Sequence, residues 1–218
     1  MVSLRDFWEE LWEKNPQNLT NNYAHLLLDI KDKSALYVGC GCIIYNVGLL
    51  SPKYFIGLDI AKKPLDYSKR NSQANGFVLG NGANLPLKTN SFDVAFSIDT
   101  FTYTEDFYDI LDEMKRVARE RIAFTVHHLD DAILYLGNNY AKTEYSNVFH
   151  MKNHDMDMFF FTESNIEKLL LSFELKPLKI LTLTKRELAD FIPIAEREPI
   201  YVPNGNVKEL IFVEATKL

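Results

Sequence analysis

Cysteine is almost missing from this chain of 218 residues: it has two, Cys40 and Cys42. Side chains so close together in a tight turn rarely reach disulfide geometry, and two thiols do not complete a zinc site. The sequence therefore excludes a disulfide framework, and both cysteines read as small residues of a reducing compartment. Long apolar runs are missing too, since none approaches the roughly 20 residues that span a bilayer. There is no excess of positive charge: 24 Lys and Arg stand against 30 Asp and Glu, a net charge of −6. That balance argues against a surface built for a phosphate backbone, which binds through clustered cations. The opening MVSLRDFWEELWEK carries acids throughout, unlike a signal peptide. The expectation is a cytoplasmic protein with no membrane partner and no nucleic-acid signature.

What is present suits one core. The chain is 47% hydrophobic and 25% charged, an ordinary globular balance at a length that one domain accommodates. Leu4, Phe7, Trp8, Leu11 and Trp12 recur at helical spacing behind Ser3 and Asp6, a loose capping box, and a second short helix is expected over residues 18–30. Residues 1–30 thus read as N-terminal helices. The period then changes, and buried strands are expected at 35–38, 54–58, 77–79, 92–98 and 121–127, alternating with helices. Residues 129–158 show no clear period and read as an irregular insertion. Thr162 caps a helix ending near Phe173, and 175–184 and 209–215 are the last strands, the final one antiparallel. Such alternation implies a parallel sheet with helices on both faces, and ligands bind beyond the carboxyl ends of its strands.

The loops after the strands carry the chemistry. Gly39-Cys40-Gly41 follows the first strand, where glycines allow a sharp turn and close ligand approach. Position 44 is Ile, so the dinucleotide pattern G-x-G-x-x-G is broken, which disfavours a nicotinamide-dependent oxidoreductase. Asp59 ends the second strand 18 residues after Gly41. A carboxylate there is placed to accept from both hydroxyls of a ribose, or else to cap the next helix. The third loop reads Gly80-Asn81-Gly82-Ala83-Asn84-Leu85-Pro86-Leu87, then Asn90-Ser91-Phe92-Asp93-Val94.

Taken in order, Leu36-x-Val38-Gly39-Cys40-Gly41, Asp59 and Asn84-Leu85-Pro86-Leu87…Asn90-Ser91-Phe92-Asp93-Val94 resemble the class I S-adenosylmethionine-dependent methyltransferases. The resemblance implies a three-layer α/β Rossmann-like fold with a seven-stranded, mostly parallel sheet of order 3-2-1-4-5-7-6. It implies S-adenosyl-L-methionine as cofactor and S-adenosyl-L-homocysteine as product. Gly39 and Gly41 would back the methionine part, Asp59 would hold the ribose, and Ile60 would pack on adenine. Asn81 and Gly82 would meet the adenine edge, and Asp99 with Phe101 would lie near the sulfonium. Tyr37, Cys40, Ala83 and Thr100 complete the implied cofactor set. Three positions depart from the family: Tyr37 stands where an acid is usual, Ile43 where a third glycine is usual, and Asn81 where an aspartate is usual.

Methyl transfer from a sulfonium needs alignment first, and a general base only where the acceptor must lose a proton. The candidates are His127 and His128 at the end of the fifth strand, and Tyr103 after the fourth. The insertion at 129–158, with its Tyr, Asn, His and Met residues, is a candidate acceptor lid. His150-x-x-x-His154 has a metal-pair spacing but lacks the Glu and the helix of a zinc protease, so no metal is expected. Asp99-Thr100-Phe101-Thr102 stands where a base-amino methylase would carry N/D-P-P-Y/F. The favoured acceptor is a small molecule, with a protein or RNA second. The alternative is a scaffold that keeps the fold and has lost the cofactor.

Overall fold

A computed structural model describes residues 3–14, 27–42, 50–134, 136, 140–152, 156–190 and 206–218. The elements follow in chain order: α1 (Leu4–Lys14), β1 (Ser34–Val38), β2 (Tyr54–Asp59), α2 (Lys62–Asn71), β3 (Gly76–Leu79), β4 (Phe92–Ser97), a 3-10 turn (Phe101–Tyr103) and α3 (Phe107–Val117). They continue with β5 (Ala118–His127), α4 (Leu129–Leu134), β6 (Tyr140–Lys142), β7 (Val148–Met151), β8 (Met156–Phe159), α5 (Glu163–Ser172), β9 (Leu175–Thr184), α6 (Lys185–Asp190) and β10 (Lys208–Lys217).

Seven strands form one sheet in the order β3-β2-β1-β4-β5-β10-β9. With β9 and β10 as its sixth and seventh strands, this is the order that the resemblance implies. β1 runs parallel to β2 and β4, β2 runs parallel to β3, and β10 runs antiparallel to β9. Ala35 to Val38 and Phe55 to Asp59 are all buried, so these stretches of the first strands leave no side facing solvent. Such runs suit a parallel sheet rather than a half-solvated one.

The chain divides into two compact units, residues 1–98 with 106–123 and residues 99–105 with 124–218. In the first, α3 shows why its sequence is helical. Phe107, Ile110, Leu111, Met114 and Val117 make one buried stripe, the 3-4 spacing of an amphipathic helix. Each such side chain contributes about 1.5–3 kcal/mol of burial. Ser3 caps α1 as its spacing predicts, its Oγ accepting from Asp6 N–H at 3.1 Å. In the second unit, Thr162 and Asn165 make a reciprocal capping box that starts α5.

The structure differs from the sequence reading in the insertion. The described residues of 129–158 are not irregular: they hold α4 and most of an antiparallel three-stranded sheet, β6-β7-β8. Strands of three and four residues are too short to show a period of two. Their apolar side chains, Tyr140, Phe149 and Met158, pack on Phe160 and Ala132 as a separate small core. The second N-terminal helix (18–30) falls mostly outside the described residues, as does Ile43. Among the described residues, no helix is long and apolar enough to cross a membrane.

Candidate functional site

In the first unit, two glycines close the turn after β1 in the left-handed region, Gly39 at φ 69° and Gly41 at φ 50°. A Cβ on Gly41 would sit 2.3 Å from Cζ2 of Trp12, so the indole of α1 lies directly on this loop. Asp59 ties the turn to the end of β2. Its Oδ2 accepts from Gly41 N–H at 2.7 Å and its Oδ1 from Ala61 N–H at 2.9 Å. Both uses are present together, the loop brace and the turn into α2. A carboxylate offers about four acceptor positions, so these bonds leave acceptor capacity for a ligand.

Asp59 is 7% exposed, and burial raises its pKa to about 6. The N–H groups of Ala61, Gly41 and Ile60 act the other way, and the nearby Glu9 adds to the rise. Glu9 itself accepts from Lys62 N–H at 2.7 Å and Lys63 N–H at 2.9 Å, capping the first turn of α2 from another helix. Asp59 and burial hold the two thiols protonated: burial first, then Asp59, push Cys42 to about 12, and Cys40 rises for the same two reasons. Neither is a nucleophile at neutral pH.

The third loop approaches β1 closely. A Cβ on Gly82 would stand 2.8 Å from Cγ1 of Val38, so only glycine fits. Asn81 turns its Oδ1 back on the chain to accept from Ala83 N–H at 2.9 Å, leaving one lone pair and its NH2 outward. Ile60 and Ala83 are half-buried beside these turns.

Two members of the implied cofactor set have buried rings. Tyr37 is 5% exposed and stacks on Phe96 with centroids 4.5 Å apart. Its ring packs inside the first unit because β1 is buried on both sides, and it supplies no charge. Phe101 is wholly buried and stacks on Phe124 at 4.9 Å, so in the second unit it braces the turn after β4 rather than presenting a ring.

In that second unit, the turn after β4 is stitched to the end of β5. Asp99, at φ 54°, donates its N–H to Thr125 Oγ1 at 2.8 Å, and Thr125 Oγ1 donates to Asp99 Oδ1 at 3.0 Å. His127 N–H donates to Thr102 Oγ1 at 3.0 Å. Asp99 and Thr100 stay half-buried.

The two histidines part company. His128 is 3% exposed and saturated: its Nδ1 accepts from Asp130 N–H at 3.1 Å, which leaves Nε2 to donate to Glu163 Oε2 at 3.2 Å. Burial alone would raise Glu163, but Lys208, its own N–H, Thr182 and His128 outweigh it and hold the carboxyl at about 2. His128 therefore fastens α4 to α5. His127 keeps its ring: among the described residues its buried Nδ1 has no hydrogen-bond partner, and Asp131 Oδ2 stands 3.8 Å away. Burial would lower the His127 pKa, yet its polar contact with Asp131 and then the charges of Asp99, Asp131 and Glu209 prevail and raise it. Tyr103, edge-on to His127 at 6.1 Å, is pushed far above its ordinary range by burial and by Asp99, Tyr140, Asp131 and Glu209. It stays a protonated hydroxyl, so it is a hydrogen-bond donor and not a base.

Sequence reading missed Glu9, Asp131, Lys185 and Glu163. Only Asp131 left a trace, four residues from His127.

Residues 36–131 match the family described as a methyltransferase domain. Over 107 residues the chain is 30% identical to malonyl-[acyl-carrier protein] O-methyltransferase of Yersinia pestis, a match that covers 47% of this chain and 40% of that protein. The chain thus spans about two fifths of that relative's length. Among solved structures it is similar to the complex of the Haloferax volcanii Trm112 methyltransferase activator with a candidate methyltransferase, with TM-score 0.70, 13% identity and 98% and 97% of the two chains covered. It is also similar to a methyltransferase of Thermotoga maritima described as a candidate histamine N-methyltransferase, with TM-score 0.66, 17% identity and 99% and 100% covered. Magnesium protoporphyrin IX methyltransferase of Synechocystis PCC 6803, solved with bound S-adenosylmethionine, shares the fold at TM-score 0.52 and 13% identity, with 87% and 72% covered.

Proposed function

We propose that the chain, whose residues 36–131 match the family described as a methyltransferase domain, is an S-adenosylmethionine-dependent methyltransferase acting on a small-molecule acceptor. One observation carries the reading. The glycine turn after β1 is braced by the Gly41–Asp59 hydrogen bond of 2.7 Å, which leaves a buried carboxylate with acceptor positions to spare.

The residues fit an adenosyl group. Asp59 accepts from the ribose hydroxyls, and Ile60 packs on the adenine face. Asn81, Gly82 and Ala83 meet the adenine edge, with Asn81 using its free lone pair and NH2. Gly39, Cys40 and Gly41 offer backbone to the methionine part. In the second unit, Asp99 and Thr100 are the polar groups of the turn after β4. When bound, the cofactor supplies a methyl group already activated by a positively charged sulfur. The protein holds the partners in line and keeps water out, which accounts for much of the acceleration of a displacement. Tyr37 brings no charge to the ammonium of that ligand. The loss of one charge-assisted hydrogen bond costs about 1.5–3 kcal/mol, so micromolar rather than nanomolar binding is expected.

The small-molecule reading rests on the acidic balance of the chain and on the Yersinia pestis relative, which is named for a malonyl group carried on a protein. Isothermal calorimetry with S-adenosylmethionine and S-adenosylhomocysteine tests the proposal. Saturable heat in the micromolar range, lost in Asp59→Ala, supports it. The absence of heat at millimolar ligand refutes it.

A further inference from the structure

The first unit hides the groups that its proposed ligand must reach. Asp59 is 7% exposed and Gly41 is buried, so neither presents itself to solvent. Gly41 is covered by α1. A Cβ there would stand 2.3 Å from Cζ2 of Trp12 and 3.0 Å from its Cε2 and Cη2, so the indole fills that side of the turn. The same helix is fastened just beyond Asp59. Glu9 accepts from Lys62 N–H at 2.7 Å and Lys63 N–H at 2.9 Å, and Glu13 pairs with Lys63 at 2.6 Å.

This fastening is weak. Leu4, Phe7, Trp8, Leu11 and Trp12 form the apolar stripe of α1, yet all remain half-buried. The stripe of α3, by contrast, is buried throughout. The side chains of Lys63 and Glu13 are 49% and 63% exposed, and pairs exposed to that extent contribute little. A helix of 11 residues is marginal without packing. Elements held this loosely are the ones that open locally.

Resting on the reading above, we propose that α1 is an inhibitory gate: Trp12 and an S-adenosyl ligand compete for the Gly41–Asp59 turn, and the ligand enters by displacing the helix. The ligand then binds only the open fraction of molecules, and its apparent dissociation constant is the intrinsic one divided by that fraction. Loosening α1 therefore tightens binding, whereas a helix that formed one wall of the site would do the opposite. The informative substitutions lie on α1. A Cβ at Gly41, at φ 50°, would strain the turn that the ligand needs as well as push the indole away.

The test is calorimetry with S-adenosylhomocysteine at about pH 8, where Asp59, with its pKa of about 6, is ionised whatever charge stands at position 9. Trp12→Ala should tighten binding about tenfold or more, since it removes the half-buried indole that holds the gate shut. Glu9→Gln, which takes a charge from the start of α2, should tighten it about 2–5-fold. Hydrogen exchange of the unaltered chain gives a second readout that needs no variant to fold. The amides of Leu4–Lys14 should exchange faster at saturating S-adenosylhomocysteine than without it. Weaker or unchanged binding in the folded variants, or ligand that protects the amides of α1, overturns the gate and leaves the cofactor reading standing. No heat from the unaltered chain or from either variant at millimolar ligand removes that reading, and the gate with it.

Discussion

Binding of S-adenosylmethionine should weaken in acid, because Asp59, the carboxylate proposed to receive the ribose hydroxyls, titrates at about 6 in the ligand-free protein. Two hydroxyl donors stabilise only the ionised form of Asp59. The apparent dissociation constant then scales as one plus the ratio of protonated to ionised carboxyl. That factor is about 1.1 at pH 7, about 2 at pH 6 and about 11 at pH 5, a tenfold loss of affinity worth about 1.4 kcal/mol. The same linkage predicts release of about half a proton per ligand bound at pH 6 and almost none at pH 8. The amino group of the ligand titrates near 8 and its carboxylate below 4, so neither mimics the effect between 5 and 7. Calorimetry at pH 6 in two buffers of different ionisation enthalpy measures the proton directly. An affinity that is flat from pH 5 to 7, or proton uptake on binding, refutes the ribose role of Asp59. Stability runs the other way. The folded pKa is raised from 3.8, so the contribution of Asp59 is fully present below 3.8 and is lost as pH rises through about 6. A shift of roughly two units makes that loss about 3 kcal/mol, visible as a melting temperature of the free protein that falls across this window and falls less with ligand bound.

Other outcomes follow from neighbouring geometry. Gly41→Ala places a Cβ 2.3 Å from the Trp12 ring at a backbone of φ 50°; it should destabilise the chain by about 1–3 kcal/mol in chemical denaturation and reduce ligand affinity at least tenfold. Because the indole of Trp12 lies on the same loop, Trp8→Phe leaves a single tryptophan whose emission should shift on titration with S-adenosylhomocysteine, and an unchanged spectrum at saturation counts against it. His128→Gln removes a saturated buried ring and should cost about 2–4 kcal/mol of stability while leaving turnover per folded molecule intact; His127→Gln should do the reverse. Met114→Ala, at a wholly buried position of α3, should cost about 2–5 kcal/mol with no change in ligand affinity.

The strand order was legible because it depends on punctuation that the sequence displays. Gly39-Cys40-Gly41, Asp59 and Asn81-Gly82 each end a short apolar run, and each loop lies where a parallel strand must stop. The register is equally local: Ala35 to Val38 pair with Phe55 to Leu58 one for one. The insertion was illegible for the opposite reason. Its three strands pack on residues outside them, Phe160 and Ala132, with Tyr140 and Phe149 setting their rings edge-on to Phe160 at 5.4 and 5.5 Å, and no periodicity within three or four residues announces that. Tyr37 and Phe101 show that a family position fixes where the Cα stands and not which neighbours take up the ring.

The histidine pair shows what separates a legible residue from a legible role. Adjacent residues at the end of a strand point to opposite faces, so His127 and His128 had to meet different surroundings, and sequence alone assigns neither. The decision is made by partners 35 and 4 residues away. Glu163, fixed by Lys208 and Thr182, draws Nε2 of His128 into a full set of bonds. Asp131 approaches His127 only to 3.8 Å because its other oxygen is held by Lys185 at 2.5 Å. That unequal sharing leaves one imidazole saturated and the other available, and an available ring beside a net negative charge is one that gains from taking up a proton. If the cluster did no more than hold α4 to β10, Lys185 would satisfy Asp131 unaided and the titration of His127 would not follow it. Coupling between Asp131 and the His127 titration is therefore the quantity that separates chemistry from packing.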